Sequence, residues 1–231
     1  MSQVFTLTHY KGGQGASVAA AVLAHTLRNH ARVLLVSDTH DALGALGIAS
    51  PLDDFTPDIS LDSRLQPLDF LRVGDTDTSE PIASQYTRAL LAAEVPTLAV
   101  VDLPPALLPA LDDFHRHTQK VRDVTRVVVC RGDYLSLRST SAAVTGLPGG
   151  HGAAVLTFDE PDRALTARDV EVVLRVEGRA MVAPWSPAFA RVIDAGMLPY
   201  RLDMMPEALR YLDALAPLIR SAREWLHALT V

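Results

Sequence analysis

Cysteine and lysine are scarce in this chain, and long apolar runs are missing. Cys130 is the single cysteine among 231 residues. One thiol excludes a disulfide framework and any multi-cysteine metal or iron–sulfur site, and it suits a reducing cytoplasm. No stretch approaches the ~18 uninterrupted apolar residues of a membrane span. The opening Met1-Ser2-Gln3-Val4-Phe5-Thr6 has no charged segment leading into an apolar one, so no signal peptide is expected. The formal net charge is −6, so the molecule as a whole is not a polycation. Nucleic-acid binding would have to come from a local basic patch. Of the 21 Lys and Arg residues only Lys11 and Lys120 are lysine. A GC-rich genome accounts for that bias, but one of the two lysines stands in a glycine-rich run.

Apolar residues make up 48% of the chain, enough for a full core and too many for a disordered protein. Strand and helix patterns alternate. Residues 4–8, 32–37, 68–73, 97–103, 124–130, 153–158 and 179–183 read as strands. Residues 17–29, 80–93, 106–118, 135–144, 164–174 and 206–229 read as helices, the last with Pro217 as a possible kink. Residues 50–67 and 74–81, rich in Asp, Pro, Ser and Thr, read as surface loops. Strands alternating with helices predict an α/β fold, a mostly parallel twisted sheet with helices on both faces. Continuous apolar strands agree with burial on both sides. One domain spanning residues 1–231 is expected.

The most informative run is Tyr10-Lys11-Gly12-Gly13-Gln14-Gly15-Ala16-Ser17, between the first strand and the first helix. Backbone N–H groups converging at a helix N-terminus make an anion site. Gly12, Gly13 and Gly15 let the backbone close around a phosphate, and Ser17 is placed to ligate Mg²⁺. An ordinary P-loop ends in Gly-Lys-Ser/Thr. Here Ala16 takes the lysine's place, and Lys11 opens the loop instead. In Val100-Val101-Asp102-Leu103-Pro104-Pro105, Asp102 ends a strand. It fits either a carboxylate of the Mg²⁺ shell or a cap for a helix near Ala106. Asp38, in Val36-Ser37-Asp38-Thr39-His40-Asp41, lies at another strand end, where ligands gather in open α/β sheets. It reads as a group that orients water or as a solvated turn residue. His40 reads as a loop histidine.

Together these segments resemble the ParA/MinD family of deviant Walker A ATPases, whose loop reads Lys-Gly-Gly-x-Gly-Lys-Ser/Thr. The run from Tyr10 to Ser17 is similar at every position but Ala16. The strand ending at Ser37-Asp38 resembles the family's second motif, and Asp102-Leu103-Pro104-Pro105 resembles its Asp-x-Pro-Pro Walker B. Cys130-Arg131-Gly132-Asp133 and the passage from Val182 to Gly196 resemble later segments, so the likeness covers nearly the whole chain.

The resemblance implies ATP and ADP as ligands with Mg²⁺, and a nucleotide-dependent face-to-face homodimer. It makes Lys11 a catalytic residue reaching the partner's phosphates and Asp38 a second one positioning water. Gly12, Gly13, Gln14, Gly15, Ala16 and Ser17 would line the nucleotide, with Pro184 and the 157–158 strand end near adenine. Ser17 and Asp102 would serve the metal. The expected role is plasmid or chromosome partitioning in the nucleoid-associated cytoplasm, with non-specific DNA and a ParB-like centromere-binding protein as partners. Arg191, Arg201, Arg210, Arg220 and Arg223 are the candidate DNA contacts; an ordinary solvated set of arginines is the alternative. The single cysteine excludes an iron-protein-type reductase of the same superfamily.

Three departures stand out. Ala16 removes the ammonium that compensates β/γ-phosphate charge, which should weaken ATP binding and nearly abolish hydrolysis. It fits either a natural pseudo-ATPase or an engineered Lys→Ala variant. Counted from Lys11, Asp38 matches the family's first Asp of the second motif, the alignment favoured here; counted from the strand end, Ser37 does. The following Asp-Pro-Gln is replaced by His40-Asp41-Ala42. A pseudo-ATPase interaction module and a MinD-like regulator at a membrane surface are the alternative functions. The C-terminal stretch has few positive charges for a membrane anchor, so no membrane partner is expected.

Overall fold

The computed structural model describes residues 2–10, 15–48, 55–59, 64–73, 81, 84–85, 97–107, 121–146, 154–159, 166–174, 180–184 and 186–230. Eight strands form one sheet: β1 Ser2–Thr8, β2 Arg32–Ser37, β3 Phe55–Ile59, β4 Leu68–Arg72, β5 Thr97–Asp102, β6 Val121–Arg131, β7 Ala154–Asp159 and β8 Ala180–Pro184. Their order is β3-β4-β2-β5-β1-β6-β7-β8. All neighbouring pairs are parallel except β3 with β4. The described helices are α1 Ala16–Leu27, α2 Asp41–Ala45, α3 Tyr134–Gly146, α4 Ala167–Leu174, α5 Pro187–Asp194, α6 Leu198–Arg201 and α7 Pro206–Thr230.

The central strands alternate between two cores, which is why their sequences read as unbroken apolar runs. Phe5 and Leu7 of β1, Val33 and Leu35 of β2, Leu98 and Val100 of β5, and Val127 and Val129 of β6 face one layer. There they meet Ala19, Ala20, Leu23 and Leu27 of α1, Leu43 of α2, Phe189 of α5, and Tyr211, Leu215 and Leu218 of α7. Val4, Leu34, Val36, Ala99 and Val101 face the other side. Val128 and Cys130 also face that side and meet Leu137 of α3 and Val170 and Leu174 of α4. The mostly parallel sheet with helices on both faces is thus present as expected.

Local chemistry sets several helix starts. At α5, Ser186 accepts a hydrogen bond from the Phe189 backbone N–H at 3.3 Å, and Pro187 occupies the first turn. Before α4, the Thr166 backbone N–H donates to the Asp169 carboxylate at 2.8 Å, and the Asp169 N–H donates back to Thr166 Oγ1 at 3.2 Å. α7 runs through Pro217, which is exposed. Its missing N–H therefore lies on the water side.

One expectation is corrected. Residues 50–67 are not wholly loop, because β3 pairs antiparallel with β4 at the sheet edge. Pro57 disguises this strand, but an edge strand tolerates proline because one side needs no ladder bond. The helices expected at 80–93 and 106–118 lie largely outside the described residues; Pro104 to Leu107 form a turn. Helices α2, α5 and α6 add to the elements expected from sequence. Among the described residues no helix is long and apolar enough to cross a membrane.

Candidate functional site

The site lies at the carboxyl ends of β2, β5 and β1, three adjacent parallel strands. Gly15 stands at the N-terminus of α1 with φ 86 and ψ 17, a left-handed conformation that glycine adopts without steric cost. Its carbonyl accepts the first helical bond, from Ala19 N–H at 3.0 Å. As the N-cap residue, Gly15 has no side chain to cap this end, where the helix dipole is positive.

Sheet register sets Asp102 directly between β1 and β2: its Cα pairs with Leu7 on one side and Ser37 on the other. Asp102 is 2% exposed. The Ser17 hydroxyl lies close enough to this carboxylate to favour its charged form, and the carboxylate accepts from Ser37 Oγ at 3.4 Å. Burial pushes its pKa up from 3.8 to about 6. The nearby Asp38 charge adds to the rise, while Ser17, His9 and Ser37 oppose it.

The three oxygen side chains at this strand end suit a small hard cation. Mg²⁺ takes one or two carboxylates and completes its shell with water and phosphate oxygens. A dedicated cage of protein ligands is not required, and none of three or more His, Cys, Asp or Glu occurs among the described residues. The donor set therefore fits Mg²⁺ held together with a phosphate, with Ser17 and Asp102 on the protein side.

Ala16, Ser17, Asp38 and Asp102 meet in this region. Ala16 is 3% exposed and its methyl belongs to the apolar core under the sheet. Asp38 lies in the half-buried turn after β2, close enough for its charge to act on Asp102. Lys11, Gly12, Gly13 and Gln14 lie outside the described residues. Pro184 ends β8 and pairs with Asp159 of β7, on the far side of β6 from the Asp102 cluster.

Two neighbours were not assigned from sequence. Ser37 is fully buried, bonded to Asp102, and accepts the Thr39 backbone N–H at 3.2 Å. Its signal was the strand-end alignment. His9 Nδ1 is enclosed with no hydrogen-bond partner, and its ring acts electrostatically on Asp102. Nothing in the sequence motif pointed to it.

The five candidate arginines are all exposed. On α7, Arg210 and Arg220 are separated by about 80° around the axis and Arg223 lies about 60° further on, at 100° per residue. Exposed Asp213 and Glu224 project into the same arc. Arg223 lies near His30, whose pKa is lowered by burial and by that guanidinium. His30 follows α1 at the sheet edge opposite Asp102. Arg210, Arg220 and Arg223 thus lie along α7 interspersed with carboxylates, while Arg191 belongs to α5 and Arg201 to α6. Trp225 and Leu226 pack against the core.

No protein-family model matches the chain, and no curated protein matches it in sequence. Solved structures match its architecture closely. MinD in the MinC:MinD cell division complex of Aquifex aeolicus aligns at TM-score 0.68 and 15% identity, covering 94% of this chain and 96% of the other. The septum site-determining protein MinD of Pyrococcus horikoshii, complexed with Mg-ADP, aligns at 0.65 and 15%, covering 94% and 95%. A putative plasmid partition protein from Borrelia burgdorferi, bound to AMPPNP, aligns at 0.61 and 14%, covering 94% and 99%. These likenesses define the class: a P-loop NTPase fold. Within that class the chain has the ParA/MinD type of fold.

Proposed function

We propose that this chain is a ParA-like positioning protein that binds Mg²⁺ with ATP or ADP and acts in plasmid or chromosome partitioning. The observation that carries the reading is the proximity of Ser17 to the buried Asp102 at the glycine-capped N-terminus of α1. It sets a helix N-terminus beside a buried carboxylate, a combination suited to a metal-bound phosphate. Neighbours of the same fold, solved with Mg-ADP and with AMPPNP, support the choice of ligand.

In this reading Gly12, Gly13, Gln14, Gly15 and Ala16 line the phosphates, and Ser17 and Asp102 hold Mg²⁺. Bound Mg²⁺ supplies charge compensation for the phosphate oxygens. Asp38 orients water. Lys11 reaches a second copy's nucleotide in a face-to-face homodimer, and Pro184 lies by adenine. Non-specific DNA is held by Arg191, Arg201, Arg210, Arg220 and Arg223 through phosphate neutralisation. A ParB-like protein stimulates the cycle at the nucleoid. Hydrolysis is strongly impaired because Ala16 supplies no ammonium at the transferring phosphate.

One observation favours a second reading, a pseudo-ATPase that binds nucleotide without turnover. The Ala16 methyl is packed into the apolar core, so this position offers hydrocarbon and no ammonium. The two readings separate on Ala16→Lys, assayed for ATP hydrolysis and ATP-dependent DNA retention, with and without the neighbouring gene product. The partitioning reading expects hydrolysis to rise by about 100-fold or more, together with nucleotide-dependent DNA binding. If the restored lysine changes neither, the positioning-ATPase reading fails and the interaction module stands.

A further inference from the structure

We infer that residues 37–47 form a rigid line from the Asp102 end of the site to an exposed elbow at residues 195–205, with Gly47 against Gly196 as its far joint. The inference rests on the nucleotide-site reading above and adds a route by which site occupancy is felt elsewhere in the fold.

The line begins at Asp102, which accepts from Ser37 Oγ at 3.4 Å. Ser37 Oγ in turn accepts the Thr39 backbone N–H at 3.2 Å. Thr39 Oγ1 accepts the Asp41 N–H at 3.3 Å, at the start of α2. Helix α2 is short, and its end is closed by Gly47 N–H to Gly44 carbonyl at 2.9 Å and Ile48 N–H to Leu43 carbonyl at 3.0 Å. Each step is a local hydrogen bond across one or a few residues, so a shift at Asp102 has a short path to Gly47.

The joint itself is backbone against backbone. Gly47 has φ +71 and Gly196 φ +64, so both need the left-handed region. A Cβ on Gly196 would lie 2.6 Å from Gly47 Cα and 3.2 Å from the Gly44 carbonyl oxygen, and one on Gly47 would strike the Gly196 carbonyl. Contacts between side chains absorb a small displacement by changing rotamer. Two touching glycine backbones have no rotamer to change, so a movement of α2 is passed to residue 196.

Gly196 closes α5, with its N–H on the Ile193 carbonyl at 2.9 Å, and opens the elbow that leads through α6 into α7. This elbow exposes Tyr200 (64%) and Met204 (69%) beside Arg201. α5 itself starts just after β8, whose end Pro184 lies on the other flank of the sheet's carboxyl edge. Two segments that leave the same edge of the sheet are thus clamped together away from it.

The test is hydrogen exchange of the backbone amides of residues 197–205, with and without saturating Mg²⁺-ATP, on the full chain. In the parent protein exchange there should slow by about fivefold on binding. In Thr39→Val, which removes the acceptor for Asp41, and in Gly196→Ala, the change should fall below about 1.5-fold, with the Mg²⁺-ATP Kd within about threefold of the parent. Gly44→Ala, where a Cβ meets nothing within 4 Å, should keep the full response. A parent that binds Mg²⁺-ATP without slowing at 197–205 overturns the line, as does a full response in Thr39→Val; Thr39→Val decides alone if Gly196→Ala does not fold. A parent that binds no Mg²⁺-ATP overturns the nucleotide-site reading first, and the line with it.

Discussion

Ser17, in the first turn of α1, lies beside Asp102, the last residue of β5, close enough to favour the charged form of its carboxylate. That pair sets the N-terminus of α1 beside the carboxylate of a neighbouring strand, and in the proposed site both side chains would hold Mg²⁺. Ser17→Ala should therefore cost little in stability, under about 1 kcal/mol. It should remove the Mg²⁺-dependent part of nucleotide affinity, read by titrating ATP with and without Mg²⁺.

Asp102 makes stability depend on pH. Its pKa rises from 3.8 when unfolded to about 6 when folded, through burial. Between those values the folded protein holds a proton that the unfolded chain has released, so stability falls as pH rises through this window and stays lower above it. A rise of that size corresponds to at most ~3 kcal/mol. Asp102→Asn should raise the nucleotide-free protein's stability near neutral pH by about 1–3 kcal/mol and flatten its profile between about pH 4 and about pH 6.5. Urea midpoints measured across that range check this. The same variant should lose Mg²⁺-dependent nucleotide binding.

The glycines of α2 and its end should respond in opposite ways. Gly47→Ala places a Cβ against the Gly196 carbonyl in a left-handed backbone. It should cost about 2 kcal/mol or more. Gly44→Ala meets open space within α2. It should be neutral or stabilising by up to about 1 kcal/mol. Thermal unfolding of the two variants separates them.

Arg32 and Asp69 form a two-point ion pair, Nε to Oδ2 at 2.7 Å and Nη2 to Oδ1 at 2.9 Å, between the start of β2 and β4. The Asp69 side chain is only 2% exposed. Arg32→Ala removes both of these bonds from a buried carboxylate and should cost about 3 kcal/mol. The pair lies at the sheet edge opposite Asp102, so nucleotide affinity should be unchanged in the surviving folded fraction.

DNA retention, if the arginines carry it, should weaken with salt and fall when Arg210, Arg220 and Arg223 become alanine. The carboxylates of Asp213 and Glu224 share their arc. Replacing those two with asparagine and glutamine should strengthen retention at fixed salt. Filter binding of random-sequence duplex checks both directions.

The sheet was legible because its central strands are buried on both faces and hold runs of mostly apolar residues. Phe5 and Val4 point into different cores, yet both are apolar, so no alternation interrupts the run. β3 was hidden by Pro57 and by its edge position, where polar residues are tolerated. Ser17 and Asp102 were readable from motif spacing. The contact of Ser37 with Asp102 was not, because it depends on the register of β2 against β5. A one-residue difference in the strand end decides which of Ser37 and Asp38 faces the carboxylate. His9 escaped notice for a related reason: a histidine at a strand end acquires meaning only from the strand beside it. The arginines were legible as a set, but not their division among α5, α6 and α7, nor the acids interspersed with the three on α7.

The most direct test is calorimetric titration of ATP into the purified chain, with and without Mg²⁺, beside Asp102→Asn. Binding that is tightened at least about tenfold by Mg²⁺ in the parent, and not in Asp102→Asn, is the predicted result. No ATP binding in the presence of Mg²⁺, or binding indifferent to both the metal and Asp102, would contradict it.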